Sequence, residues 1–181
     1  MKYIGLDIST TCIGYSFLDE CGKIMVCNAL QIPTSKYDGL TAKMNEFVNH
    51  IGRNIDSTDI VFAEKYLLGF SKGFSNAHTI TQLIYFQGMI QGYLLTQYQI
   101  DVILIAASHA RKLVGCPGKR IGNVSVKELA HNILKKKYGD LVPLWYNRNN
   151  NVQPATYDAS DSLIIALAGY TEWSIHKHKK S

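Results

Sequence analysis

The sequence lacks any uninterrupted apolar run of the ~18 residues that a membrane-spanning helix requires. It holds only four cysteines, Cys12, Cys21, Cys27 and Cys116, with no CxxC pair and no histidine at zinc-finger spacing. A zinc ribbon or redox motif is thereby excluded, and reduced core thiols are expected. Only four prolines occur, and no Pro/Gly/Ser-rich linker or internal repeat divides the chain. No basic segment with a long apolar run precedes the first strand-like stretch, so no signal peptide is expected. These absences predict a soluble, cytoplasmic protein. They also predict a single domain over residues 1–175, followed by a basic tail at 176–181.

What is present fits a globular α/β protein. Apolar residues make up 46% of 181, enough for a sizeable core. Nineteen basic residues against fourteen acidic ones give a net charge of +5, compatible with an anionic partner without requiring one. Strand patterns run over Tyr3–Ile8, Ile13–Leu18 and Lys23–Leu30, with a hairpin turn at Asp19–Gly22. Leu40, Met44, Phe47, Val48 and Ile51 share one helical face. A strand at Asp59–Glu64 precedes a Gly-rich loop from Leu68 to Asn76. A helix from Ala77 to Tyr98 is apolar on two sides, with Ile80, Leu83, Ile84 and Ile90 set against Tyr85, Met89 and Tyr93. Gly88 and Gly92 lie one turn apart on it. A strand at Asp101–Ala106 and a short helix capped by Ser108 follow. Ser125 and Glu128 form a capping box for a helix ending at Gly139. Residues 145–154 are polar and Asn-rich, and read as irregular. A last helix runs from about Tyr157 through Trp173. Three meandering strands followed by crossover units predict one mixed sheet with helices on both faces.

Four acids interrupt these patterns. Asp7 sits within a buried strand, where an unpaired carboxylate is costly. Glu64 ends an apolar strand. Asp158 and Asp161 are three apart, so they share a helical face with Ile165 and Ala168. Each has a modest explanation alone: Asp158 as a first-turn acid favoured by the helix dipole, Glu64 as a strand-end surface acid, Asp7 as acceptor for the backbone of Ser9 to Thr11. Together they predict a convergent cluster. Two carboxylates ~4 Å apart repel by ~4 kcal/mol at an effective dielectric of 20. Such a cluster needs protons or cations, and hard oxygen donors favour magnesium or manganese.

The run Ile4 to Ser9 (IGLDIS), the strand Val61 to Glu64 (VFAE) and Tyr157 to Leu163 (YDASDSL) resemble the RuvC family of Holliday junction resolvases. Arg111 and Lys112 before Gly115, and then Val126 to Glu128, resemble that family's late basic region. Brevity and divergence resemble bacteriophage members more than the bacterial housekeeping enzyme. The resemblance implies a ribonuclease H-like fold. It implies two Mg2+ ions, replaceable by Mn2+, on Asp7, Glu64, Asp158 and Asp161 as metal-binding and catalytic residues. The reaction implied is phosphodiester hydrolysis at a branch point, leaving 5′-phosphate and 3′-hydroxyl ends. A homodimer is also implied, for which the 77–98 helix is the candidate interface. Phe70 and Phe74 fall where family members place an aromatic near the crossover. Lys72, Arg111, Lys112, Lys119, Arg120 and Lys127 are candidate phosphate contacts. His109 reads as a surface or capping residue rather than a metal neighbour, and His176 and His178 as tail residues.

Other readings remain open. The acids cut a backbone without choosing between Holliday junctions, forks and flaps. A junction-binding scaffold without catalysis is a second reading. An actin-like nucleotide-binding module is a third, because Asp7 to Thr11 (DISTT) approaches its phosphate loop. There Ser9 replaces the glycine that such a loop requires.

Overall fold

The computed structural model describes residues 1–65 and 77–178, the last three of these by their backbone alone. Five strands form one sheet in the order β3-β2-β1-β4-β5. They are β1 (Tyr3–Ile8), β2 (Cys12–Leu18), β3 (Ile24–Gln31), β4 (Ile60–Glu64) and β5 (Ile103–Ile105). The first three pair antiparallel. β1 pairs parallel with β4, and β4 with β5. The helices are α1 (Gly39–His50), α2 (Ala77–Tyr98), α3 (Ala107–Val114), α4 (Val126–Tyr138) and α5 (Pro154–His178).

Strand alternation divides the core in two. Ile4, Leu6 and Ile8 point to one face, where Phe47 and Ile51 at α1 and Phe86, Ile90 and Leu94 of α2 cover them. Tyr3 and Phe62 point to the other, covered by α5 with Ala110 of α3 and Leu134 of α4. The expected mixed sheet with helices on both faces is therefore present.

Helix α5 lies unusually close to the strands, because glycines leave room for it. A methyl at Gly5 would overlap the Ser162 carbonyl and Ala166; one at Gly14 would overlap the Asp158 carbonyl. A methyl at Gly169 would overlap the Phe62 ring. A buried bond between the Ser16 and Ser162 hydroxyls, 2.8 Å, fixes the helix along its axis. Such a bond contributes about 1 kcal/mol net.

Several boundaries differ from the sequence reading. Helix α5 begins at Pro154 rather than near Tyr157, since proline suits a first helical position whose N–H has no partner. Asp158 consequently lies beyond the first turn, which weakens the dipole explanation for it. The same helix continues to His178, past the expected end at Trp173. Helix α3 is preceded by Ala106, so Ser108 lies inside it and does not cap it. The Ser125 cap is present, its hydroxyl accepting from the Glu128 amide at 3.2 Å. On α2, Ile84 faces outward and Tyr93 inward, the reverse of expectation. Tyr93 packs edge-on against Phe47 and Tyr98, while Ile84, Tyr85, Met89 and Leu95 remain exposed. Residues 145–153 are ordered rather than irregular, closed by a bridge between Tyr146 and Val152.

Candidate active site

The register of the parallel strands sets the first two acids side by side. Leu6 pairs with Ala63, so the next residues along, Asp7 and Glu64, are neighbours at the strands' C-terminal ends. The close seat of α5 on Gly5 and Gly14 brings Asp158 and Asp161 over the same point. Asp7 and Asp161 are buried, and Glu64 and Asp158 partly so.

Burial pushes the Asp7 carboxyl well above the usual carboxylate range. Asp161, Glu64 and Asp158 push it the same way, against the pull of Lys127. Burial also raises Glu64, with Asp161 adding to the effect; Arg111, Lys127 and a hydrogen bond with Asp7 oppose it. The four acids thus interact electrostatically with one another.

Two protein cations join these acids. Lys127 Nζ lies 3.1 Å from Asp158 Oδ1 and 3.0 Å from Asp161 Oδ2. Burial disfavours its charge, but Asp161, Asp7 and Asp158 outweigh that and raise its pKa. Arg111 donates to Asp161 Oδ1 at 3.0 Å, while its buried Nε has no hydrogen-bond partner among the described residues. Were all four carboxyls ionised, these two cations would leave a surplus of negative charge at the site. All the carboxylate donors are hard oxygens, the set that magnesium and manganese prefer. Chemically the residues fit divalent ions. Among the described residues, however, no three His, Cys, Asp or Glu side chains close around one point at metal-holding distance. Lys127 already bridges Asp158 and Asp161 in this conformation.

The surrounding turn is built for support. Ser9 Oγ accepts from the Cys12 amide at 3.0 Å and donates to the Cys12 carbonyl at 2.8 Å. The turn after Asp7 is therefore closed by its own serine and not by Asp7. Three supporting residues escaped the sequence reading. Lys43, buried on α1, donates through Nζ to the Thr10 carbonyl at 2.5 Å and to Thr34 Oγ1 at 2.9 Å. Its signal was available: Lys43 lies three residues after Leu40 and four before Phe47, on the apolar stripe. Buried Gln87 of α2 donates to the Glu64 carbonyl at 3.1 Å. Cys12 lies against Asp158; burial and then the charge and hydrogen bond of Asp158 raise its thiol pKa.

The candidate DNA contacts separate into groups. Arg111 and Lys127 are held in the acid cluster. Lys112, Lys119 and Arg120 are exposed, with Arg120 Nε donating to the Gly122 carbonyl at 3.1 Å. Phe70, Lys72 and Phe74 lie outside the described residues, as does the rest of the 68–76 loop reading. The His176 and His178 side chains also lie outside them, as do residues 179–181 of the expected tail. His109 Nε2 meets Glu172 Oε1 at 2.6 Å, a contact between α3 and α5. No described helix is long and apolar enough to cross a membrane.

No protein-family model matches the sequence, and no curated protein does. Solved structures do match. Thermus thermophilus RuvC in complex with Holliday junction substrate is 11% identical, with a TM-score of 0.56 over 96% of each chain. A second T. thermophilus RuvC structure is 12% identical, with the same score and coverage. The yeast mitochondrial Holliday junction resolvase Ydc2 is 13% identical, with a TM-score of 0.59 over 97% of this chain and 80% of its own. The fold is that of these proteins: α/β and ribonuclease H-like, with a mixed five-stranded sheet.

Proposed function

We propose that this chain is a divalent-metal-dependent endonuclease that nicks branched DNA, with Holliday junctions as its first substrate. The observation that carries the reading is that Glu64, Asp158 and Asp161 all lie near enough to buried Asp7 to act on its charge, at the C-terminal ends of β1 and β4 in a RuvC-like fold. Asp7, Glu64, Asp158 and Asp161 would hold two Mg2+ ions, or Mn2+ in their place. When bound, such ions activate water and stabilise the leaving oxygen of a phosphodiester.

The chain's own residues do the positioning. β1 and β4 fix Asp7 and Glu64 through backbone register. Gln87 holds the Glu64 backbone, and Lys43 the turn that follows β1. Lys127 and Arg111 orient Asp158 and Asp161 and temper their mutual repulsion. Hydrolysis at this site needs no serine or tyrosine nucleophile and leaves 5′-phosphate and 3′-hydroxyl ends. Lys112, Lys119 and Arg120 supply sequence-independent phosphate contacts. Two copies associate through the exposed apolar face of α2, so that two symmetric strands are cut by one dimer.

One observation favours a second reading, a junction-binding scaffold: in the described conformation Lys127 and Arg111 already satisfy the aspartates. Cleavage of labelled four-way junctions, forks and linear duplexes with Mg2+ separates the two, using wild type and Asp7→Asn. Metal-dependent nicking at branch points, lost in the variant, is the expected result. Tight binding without nicking identifies the scaffold.

A further inference from the structure

Beside the acid cluster stands an ordered turn with no role so far. Between Trp145 and Gln153 the chain doubles back on itself. The Asn147 amide donates to the Asn151 carbonyl at 2.8 Å, and Gln153 to the Trp145 carbonyl at 2.8 Å. Asn147 Oδ1 accepts from the amides of Asn149 and Asn151 at 2.9 and 3.0 Å. Asn150 adopts a left-handed backbone, φ 61°, which asparagine tolerates. The Gln153 side chain anchors the base, donating to the Tyr146 carbonyl at 2.8 Å. The loop is thus fixed by its own side chains, so a ligand meets a surface whose ordering is already complete.

The outer surface of this turn has a definite chemistry. Tyr146 is 50% exposed, and Arg148 and Asn149 are exposed at the tip. From Leu141 to Tyr157 there is no acid, so nothing on this stretch repels a phosphate. Asparagine amides donate and accept together, as base edges and sugar hydroxyls require. The position is equally definite. Gln31, at the end of β3, contacts Gln153 at 3.3 Å. Gln31 pairs with Cys12, which lies against Asp158. Helix α5 starts at Pro154, and four residues of helical rise, about 6 Å, separate it from Asp158.

We propose that the 145–153 turn is a strand-contacting surface of the nuclease, on which a base splayed at the branch stacks against Tyr146 while Arg148 holds an adjacent phosphate. This inference rests on the branched-DNA reading above and assigns part of its selectivity for structure to a rigid element beside the acids. Stacking on an exposed aromatic is tolerant of sequence, because every base offers a π-face. The turn would therefore recognise unpaired geometry rather than a particular base. A protein partner would favour an apolar patch here, and the tip is polar.

The test uses the full chain carrying Asp7→Asn to prevent cutting, titrated against fluorescent four-way junctions and linear duplexes. Adding Tyr146→Ala and Arg148→Ala together should weaken junction binding about tenfold, with a smaller effect on duplex and an unchanged melting temperature. The salt dependence should fall by about one phosphate contact. Photo-crosslinking of the unsubstituted protein to iododeoxyuridine-bearing junctions should place adducts on Tyr146. Junction affinity within about twofold of the parent, or adducts confined to other segments, overturns the proposal while leaving the nuclease reading intact. A change of self-association with unaltered DNA binding overturns it in favour of a protein contact. If wild type neither binds nor nicks branched DNA, both readings fall together.

Discussion

Replacing Lys127 by methionine removes the ammonium that bridges Asp158 and Asp161 at 3.1 and 3.0 Å. A unit-charge pair ~4 Å apart attracts by ~4 kcal/mol at an effective dielectric of 20. The Lys127 side chain is 47% exposed, however, so solvent screening reduces each contact to the range of surface pairs, up to about 1 kcal/mol. Together they stabilise the metal-free protein by roughly 1–2 kcal/mol. Without metal, the variant should therefore melt about 2–8 °C lower than wild type. A divalent ion binding the same carboxylates must displace the ammonium in wild type and has no such competitor in the variant. The variant should bind Mg2+ roughly 5–30-fold more tightly, and its melting temperature should rise more steeply with metal. The two proteins then converge at saturating Mg2+. Thermal melts across a Mg2+ series after chelation measure this directly. Equal metal-induced shifts in both proteins would refute the idea that Lys127 occupies the place of an ion.

Further predictions follow from the acids, the helix seat and the surface. Asp7 and Glu64 have folded-state pKa values raised by burial and by their acidic neighbours. The stability tied to them is complete below their unfolded values of about 4 and is lost as pH rises through the folded ones. Asp7→Asn stays neutral at every pH, so in chelator the melting-temperature gap should shift steadily in the variant's favour as pH rises above about 4; a flat gap contradicts the buried setting. Gly14→Ala drives a methyl into the Asp158 carbonyl. It should destabilise by about 1–3 kcal/mol in chemical denaturation and abolish nicking, and wild-type behaviour in both would refute the close seat of α5. Tyr85→Asp places a charge on the exposed apolar face of α2; sedimentation should register a dimer in wild type and a monomer in the variant, and a monomeric wild type removes that interface.

The fold was largely legible because its elements follow simple periods. Ile4, Leu6 and Ile8 alternate with Gly5 and Asp7, and the two sets face different helices, as a period of two requires. The acids stood out because each broke such a pattern. Other features needed three dimensions. That Tyr93 turns inward and Ile84 outward on α2 depends on what α1 offers, Phe47 in particular, and an all-round apolar helix carries no such information. The partners of Arg111 and Lys127 were equally hidden. Both read as phosphate contacts by type, and only the packing of α3 and α4 against α5 turns them toward the aspartates. The 145–153 turn read as irregular because its order comes from one side chain, Asn147, bonding to backbone a few residues away. Composition registers that asparagine as mere polarity.

The contact of α5 with Gly5 and Gly14 is backbone against backbone. A site seated this way is a frame rather than a mosaic: Asp158 and Asp161 are located by peptide groups common to every sequence. Neighbouring side chains can then be exchanged freely, and the connection entering α5 can lengthen or shorten, without moving the acids. The glycines are the exception, since any side chain there lifts the helix. A chain built on such a frame can diverge almost completely in sequence while keeping its chemistry in register. On this geometry, Gly5 and Gly14 are the positions where a side chain would displace the helix that carries Asp158 and Asp161.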